Sequence, residues 1–83
     1  MDSSHNNERL SLYVTYDPKA DAAYLSLVDG FQFSKQQISG LTKDGMLGEV
    51  EIDINKDGQV IGIEFVGASS ILPGQVLSEA VRI

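Results

Sequence analysis

Apolar and polar residues alternate with a period of two along three stretches of the chain, as in strands with one face in a core and one in water. In LSLYVTY, Leu10, Leu12, Val14 and Tyr16 fall on one side and Ser11, Tyr13 and Thr15 on the other. In EVEIDI, Val50, Ile52 and Ile54 point inward and Glu49, Glu51 and Asp53 outward. In QVIGIEFV, Ile61, Ile63 and Phe65 oppose Val60, Gly62 and Glu64. Between the first stretch and AYLSLV lies DPKADA, whose proline cannot donate to a ladder and whose aspartates favour turns. A hairpin follows. Pairing Val14 with Leu25 and Leu12 with Leu27 sets apolar side chains opposite one another and leaves Tyr13 beside Ser26 and Thr15 beside Tyr24 on the wet face.

Asp29-Gly30 is a second turn signal, and FQFSKQQIS beyond it, with Phe31 and Phe33 two apart, predicts another strand. GLTKDGMLG reads as a glycine-punctuated loop. The tail ASSILPGQVLSEAVRI spaces Val76, Leu77, Ala80 and Val81 as on one face of a helix, with Arg82 where a helix C-terminus favours a cation. Residues 1–8, MDSSHNNE, lack apolar periodicity and read as a disordered leader, which leaves 9–83 as one domain. The pattern as a whole predicts an α+β fold: a small antiparallel sheet of four or five strands, mostly a meander, with one short C-terminal helix on its apolar face.

The segment DINKDGQVIGIE, Asp53–Glu64, also fits the calcium-loop pattern D-x-[DN]-x-[DN]-G-x₅-E, with Asp53, Asn55, Asp57 and Glu64 as ligands. Such a loop needs a helix on each side to aim its oxygens at one point, whereas both flanks here have period two. A turn at Asn55–Gly58 explains the same residues. Gly58 supplies a positive φ, Asn55 and Asp57 bond back to main-chain N–H groups, and Ile52 pairs with Ile61 and Val50 with Ile63. In that register Glu64 lies opposite Glu49 and cannot swing back to Asp53. A divalent-cation site stays open as an alternative.

Composition narrows the functional classes. Twelve acids against six bases give a net charge of −6, which repels nucleic-acid backbones and anionic membrane surfaces. No apolar run approaches the ~18 residues of a membrane span. Without cysteine there is no disulfide or thiolate metal site, and the N-terminus lacks the apolar core of a secretory signal, so the cytoplasm is the expected location. No cofactor is implied. The one histidine, His5, sits in the leader, which argues against a Ser–His–Asp or Cys–His device.

YDPKADAAYLSL (16–27) and DINKDGQVIGIEFVGAS (53–69) together resemble a family of small prokaryotic proteins catalogued as domain of unknown function 2283. Tyr16, Asp17, Ala20, Asp21, Ala22 and Tyr24 match its first element, and Asp57, Gly58, Val60, Gly62, Ile63 and Glu64 its second. Ala23 and Leu25, the polar SKQQIS and the tail after Ser70 depart from the pattern. The resemblance covers about residues 13–69 and implies a small antiparallel sheet with a helical element. For some members, proximity to small toxin-like proteins implies an antitoxin-like role.

Three functions are compatible with these residues. The first is a non-catalytic interaction module whose outer sheet face presents Tyr13, Tyr24, Glu49, Glu51, Asp53 and Glu64 to a basic protein, or whose open edge pairs with a copy of itself. The second is cation binding by the 53–64 loop. The third is a small carboxylate-dependent enzyme, since clustered carboxylates can do acid–base work. The plain alternative is a solvated polar face, with Asp17 and Asp21 as turn residues that accept main-chain N–H groups and cap the return strand.

Overall fold

The computed structural model describes residues 12–30 and 32–83. Strands β1 (Tyr13–Asp17), β2 (Ala22–Ser26), β3 (Gln36–Leu41), β4 (Glu49–Ile54), β5 (Val60–Val66) and β6 (Val81–Arg82) form one sheet in the order β3-β4-β5-β2-β1-β6. Helices α1 (Ala68–Ile71) and α2 (Gly74–Glu79) lie between β5 and β6.

The first hairpin has the register that alternation predicts, with Tyr13 opposite Ser26, Val14 opposite Leu25 and Thr15 opposite Tyr24. Leu10, Ser11, Phe31, His5 and the proposed leader lie outside the described residues. Asp17 starts the turn by accepting the N–H of Lys19 at 2.9 Å and that of Ala20 at 3.5 Å. From β2 the chain runs past the ends of β5 and β4 to the far edge, where β3-β4-β5 form a meander. Strand β5 then pairs antiparallel with β2 and joins the two halves.

The expected architecture needs four corrections. The sheet has six strands and is mixed, because β6 runs parallel to β1. The third strand starts at Gln36 rather than at the phenylalanines; Phe33 precedes it and is 81% exposed. It continues through Gly40, whose φ of 71° marks the register shift between Ile38 and Leu41, so an edge strand crosses what reads as a loop. The tail forms two helices, because a proline forces the preceding residue out of helical conformation: Leu72 sits at φ −108°, ψ 146° before Pro73. Finally, α2 stops at Glu79, and Val81 and Arg82 pair with Thr15 and Tyr16, which brings the Arg82 guanidinium 5.5 Å from the Tyr16 ring centre.

The β4–β5 hairpin keeps the expected faces at Val50, Ile52, Ile63 and Phe65 but shifts the partners by two, and it corrects the turn-proximal end: Val60, expected outward, opposes Ile54, and Ile61, expected inward, lines a cleft beside Tyr24 and Asp53. Ile52 opposes Ile63 and Val50 opposes Phe65. Two single-residue insertions cause this. Gly58, at φ 78°, closes the Asn55–Gly58 turn and makes Gln59 the partner of Asn55. Then Ile61 is an extra residue on β5, where the register shifts between Asp53 and Ile54. One insertion would have reversed every side chain beyond it, and two restore the pattern.

The core is small. Tyr16, Ala23 and Ala68 are buried together, with Val14, Phe65, Leu72, Leu77 and Ala80 packed around them. It sits where α1 and α2 cover the β1–β2 side of the sheet.

Candidate functional site

Alternation on β4 and β5 turns Glu49, Glu51, Asp53 and Glu64 to the face away from the helices. The register sets Glu51 directly opposite Glu64, with Asp53 opposite Gly62 and Glu49 opposite Val66. The expected Glu64–Glu49 pair is thus replaced by Glu64–Glu51, a consequence of the two insertions. Like charges directly across a ladder repel. Burial and the adjacent Glu64 together hold the Glu51 carboxyl above the usual carboxylate range. Among the described residues, Lys56 pairs with Asp57 at 3.7 Å, and no cation pairs with any of these four acids.

Asp53 is placed differently. Tyr24 Oη donates to Asp53 Oδ2 at 2.9 Å, and Gln37 Nε2 donates to Oδ1 at 2.9 Å. The Tyr24 ring reaches Asp53 by lying diagonally across Gly62, where a Cβ would collide with the ring's hydroxyl end. Burial, and then the bond to Asp53, push the Tyr24 phenol up to about 12. Gly62 is therefore required by a close approach, which the alternation pattern alone does not reveal.

The structure brings Tyr24, Glu51, Asp53 and Glu64 together and leaves Glu49 one pair along β4. Tyr13 is 55% exposed but lies on β1, roughly 14 Å from β4 across three interstrand spacings. Tyr24, Ser26 and Asp53 join Gln32, Ser34 and Ile61 around a cleft of about 450 Å³, and Glu51 is not part of its wall.

The Asp53–Glu64 segment is a β-hairpin rather than a loop between helices. Asn55 Oδ1 accepts the N–H groups of Asp57 and Gln59, each at 3.0 Å, which is the turn chemistry expected of it. Asp53 and Glu64 stand on opposing strands, with Glu64 across from Glu51. Among the described residues, no group of three or more acids and histidines is placed to hold a metal ion.

A second constellation escaped sequence reasoning. Asp21 accepts from Tyr16 Oη at 2.9 Å and from the Ser69 N–H at 2.9 Å through Oδ1, and from Ser69 Oγ at 2.8 Å through Oδ2. Its carbonyl also accepts the N–H groups of Gly67 and Ala68. Instead of capping β2 it fastens the first hairpin to the start of α1, at a φ of 50°. Ser69's hydroxyl and N–H hold its carboxyl below the ordinary range, while the bond to Asp21 raises the Tyr16 phenol. The signal lay in Tyr16 and Asp21 both belonging to YDPKAD. Their partner, Ser69, is 48 residues beyond Asp21.

Among the described residues no helix is long and apolar enough to cross a membrane. No curated protein and no solved structure matches the chain. A family model does match, over residues 13–69, from the first residue of β1 to the serine that closes on Asp21. The chain thus belongs to the family described as "Protein of unknown function (DUF2283)".

Proposed function

We propose that this protein is a non-catalytic interaction module whose acidic sheet face receives a basic protein partner. One observation carries the reading: Glu51 and Glu64 oppose each other on a half-buried face that also holds Asp53 and Glu49, with no cationic partner among the described residues. Opposed carboxylates repel across the ladder, and a basic group arriving at the face relieves that repulsion. Tyr24 forms a floor beside the acids, and Tyr13 is the exposed aromatic at the far side of the face. The field of the cluster speeds encounter with a cationic surface and weakens as salt rises. An antitoxin-like role, with a basic toxin-like protein as the partner, is one form of this function.

The test compares two variants of equal net charge. Glu49→Lys with Glu51→Lys alters the face, and Asp44→Lys with Glu79→Lys alters the chain elsewhere. Partners recovered from host lysate by the wild type should be lost by the first variant and retained by the second. Equal recovery by both, with the same salt dependence as the wild type, overturns the proposal.

A further inference from the structure

The helices cover only part of the apolar sheet face. They pack on the β1–β2 side, with Tyr16, Ala23, Val14 and Phe65 beneath them. Toward the other edge, Leu25, Ile63, Ile52 and Ile54 share that face and stay half-buried, and Ile38 and Leu41 on β3 are 46% and 41% exposed. None of the described large side chains is fully buried. Among the described residues, nothing packs over the centre of this apolar sheet face.

We infer that a second copy of this chain covers it, the two sheets packing face to face about a two-fold axis. Charge selects this occupant. The strand acids Asp17, Glu49, Glu51, Asp53 and Glu64 all fall on the opposite face by register, so the open apolar patch carries none of them. Two chains of net charge −6 repel over most of their surface, and this patch is where they can meet without setting acid against acid. A two-fold contact needs a self-complementary surface, which a flat aliphatic patch provides. Outside the helices the patch is about three strands wide; at ~4.8 Å per strand and about five residues of ~3.3 Å each it spans roughly 240 Å². With side-chain relief and two faces, pairing buries roughly 500–800 Å², below the range of stable specific interfaces, so the dimer is a weak and reversible one. Both acidic faces then point outward, on opposite sides of the assembly.

Sedimentation velocity from about 1 to 500 µM tests this, with a dimer expected to populate within that range, as for a weak interface. A monomer throughout overturns the proposal. Ile38→Lys places a charge on the patch at a position exposed enough to tolerate it. It should weaken dimerisation at least tenfold while leaving the far-ultraviolet circular dichroism unchanged, and unaltered dimerisation by a folded variant overturns the proposal. Amide exchange separates face packing from edge pairing. The outward N–H groups of β3 should exchange at the same rate at low and high concentration, and their protection in the dimer would assign the contact to the sheet edge instead.

Discussion

Substituting alanine for Gly62 tests whether the Tyr24–Asp53 link organises the acidic face. No positive φ opposes alanine at this position, so the backbone accepts it. The obstacle is the Tyr24 ring, whose hydroxyl end occupies the place of the new Cβ. The ring must swing aside, and its bond to Asp53 is lost with it. A hydrogen bond to a charged group contributes about 1.5–3 kcal/mol. Re-exposing part of the ring costs about 1 kcal/mol more. Removing a glycine's freedom from the unfolded chain returns about 0.4–1 kcal/mol. The expected net loss is therefore about 1.5–3.5 kcal/mol, read as a shift in urea midpoint at unchanged slope. Two controls make the cause identifiable. The phenol that titrates at about 12 in the wild type should move toward its ordinary 10.0 in the variant, seen by ultraviolet absorbance. In a Tyr24→Ala background, Gly62→Ala should be neutral or stabilising, because nothing remains to displace. A Gly62→Ala protein as stable as the wild type, with an unmoved tyrosine titration, would refute the close-approach account. The raised phenol also makes stability fall in alkali. It contributes stability fully below 10.0, which is lost as pH rises toward the folded value of about 12.

Glu51→Gln should raise the melting temperature at pH 7, since burial and Glu64 raise the Glu51 carboxyl and make its ionisation in the fold unfavourable. The gain should vanish below about pH 4.5, because a carboxyl with a raised folded pKa opposes folding only when it must ionise. Gly58→Val should cost about 1–3 kcal/mol in urea unfolding, since a β-branched residue resists the positive φ there, while Lys56→Ala, at an 82% exposed side chain, should be near neutral. At Asp21, asparagine tolerates positive φ and keeps one acceptor whereas alanine does neither, so melting temperatures should fall in the order wild type, Asp21→Asn, Asp21→Ala. Because Asp21's folded pKa is depressed, its contribution is present above 3.8 and lost as pH falls through the folded value. The wild type's advantage over Asp21→Asn should shrink in acid by the same measurement.

Period-two alternation made the faces of β1, β2, β4 and β5 legible, because each has neighbours on both sides and its inward residues must be apolar. The edge strand β3 was misplaced for the complementary reason. With one neighbour and all six residues exposed, its sequence is not held to alternate. Parity survived in the β4–β5 hairpin while partner identity did not, since Gly58 and the extra Ile61 each slip the ladder by one residue and hydrophobic pattern is blind to an even slip. The composition of the acidic face was readable, but its pairing was not. The Asp21–Ser69 clasp was out of reach because it joins segments 48 residues apart through polar atoms that leave no periodic trace.

The residues that carry the family signature differ in how far the fold accounts for them. Asp17 holds the first turn, Tyr16 and Asp21 fasten it to α1, Tyr24 needs Gly62 to reach Asp53, and Gly58 closes the second turn. Each has a bond, a close approach or a conformation that another residue would spoil. Glu64 differs in that its side-chain contact is with another acid, Glu51. It faces Glu51, raises that carboxyl and adds repulsion the sheet would be rid of with glutamine. A charge that the fold does not use, placed at the centre of a face with no neutralising partner among the described residues, is what a site for a cation-bearing partner requires. Glu51→Gln is therefore informative in two directions at once. Greater stability together with weaker partner capture is the trade-off of a site kept for binding, whereas greater stability with capture unchanged reduces the acidic face to solvated polarity.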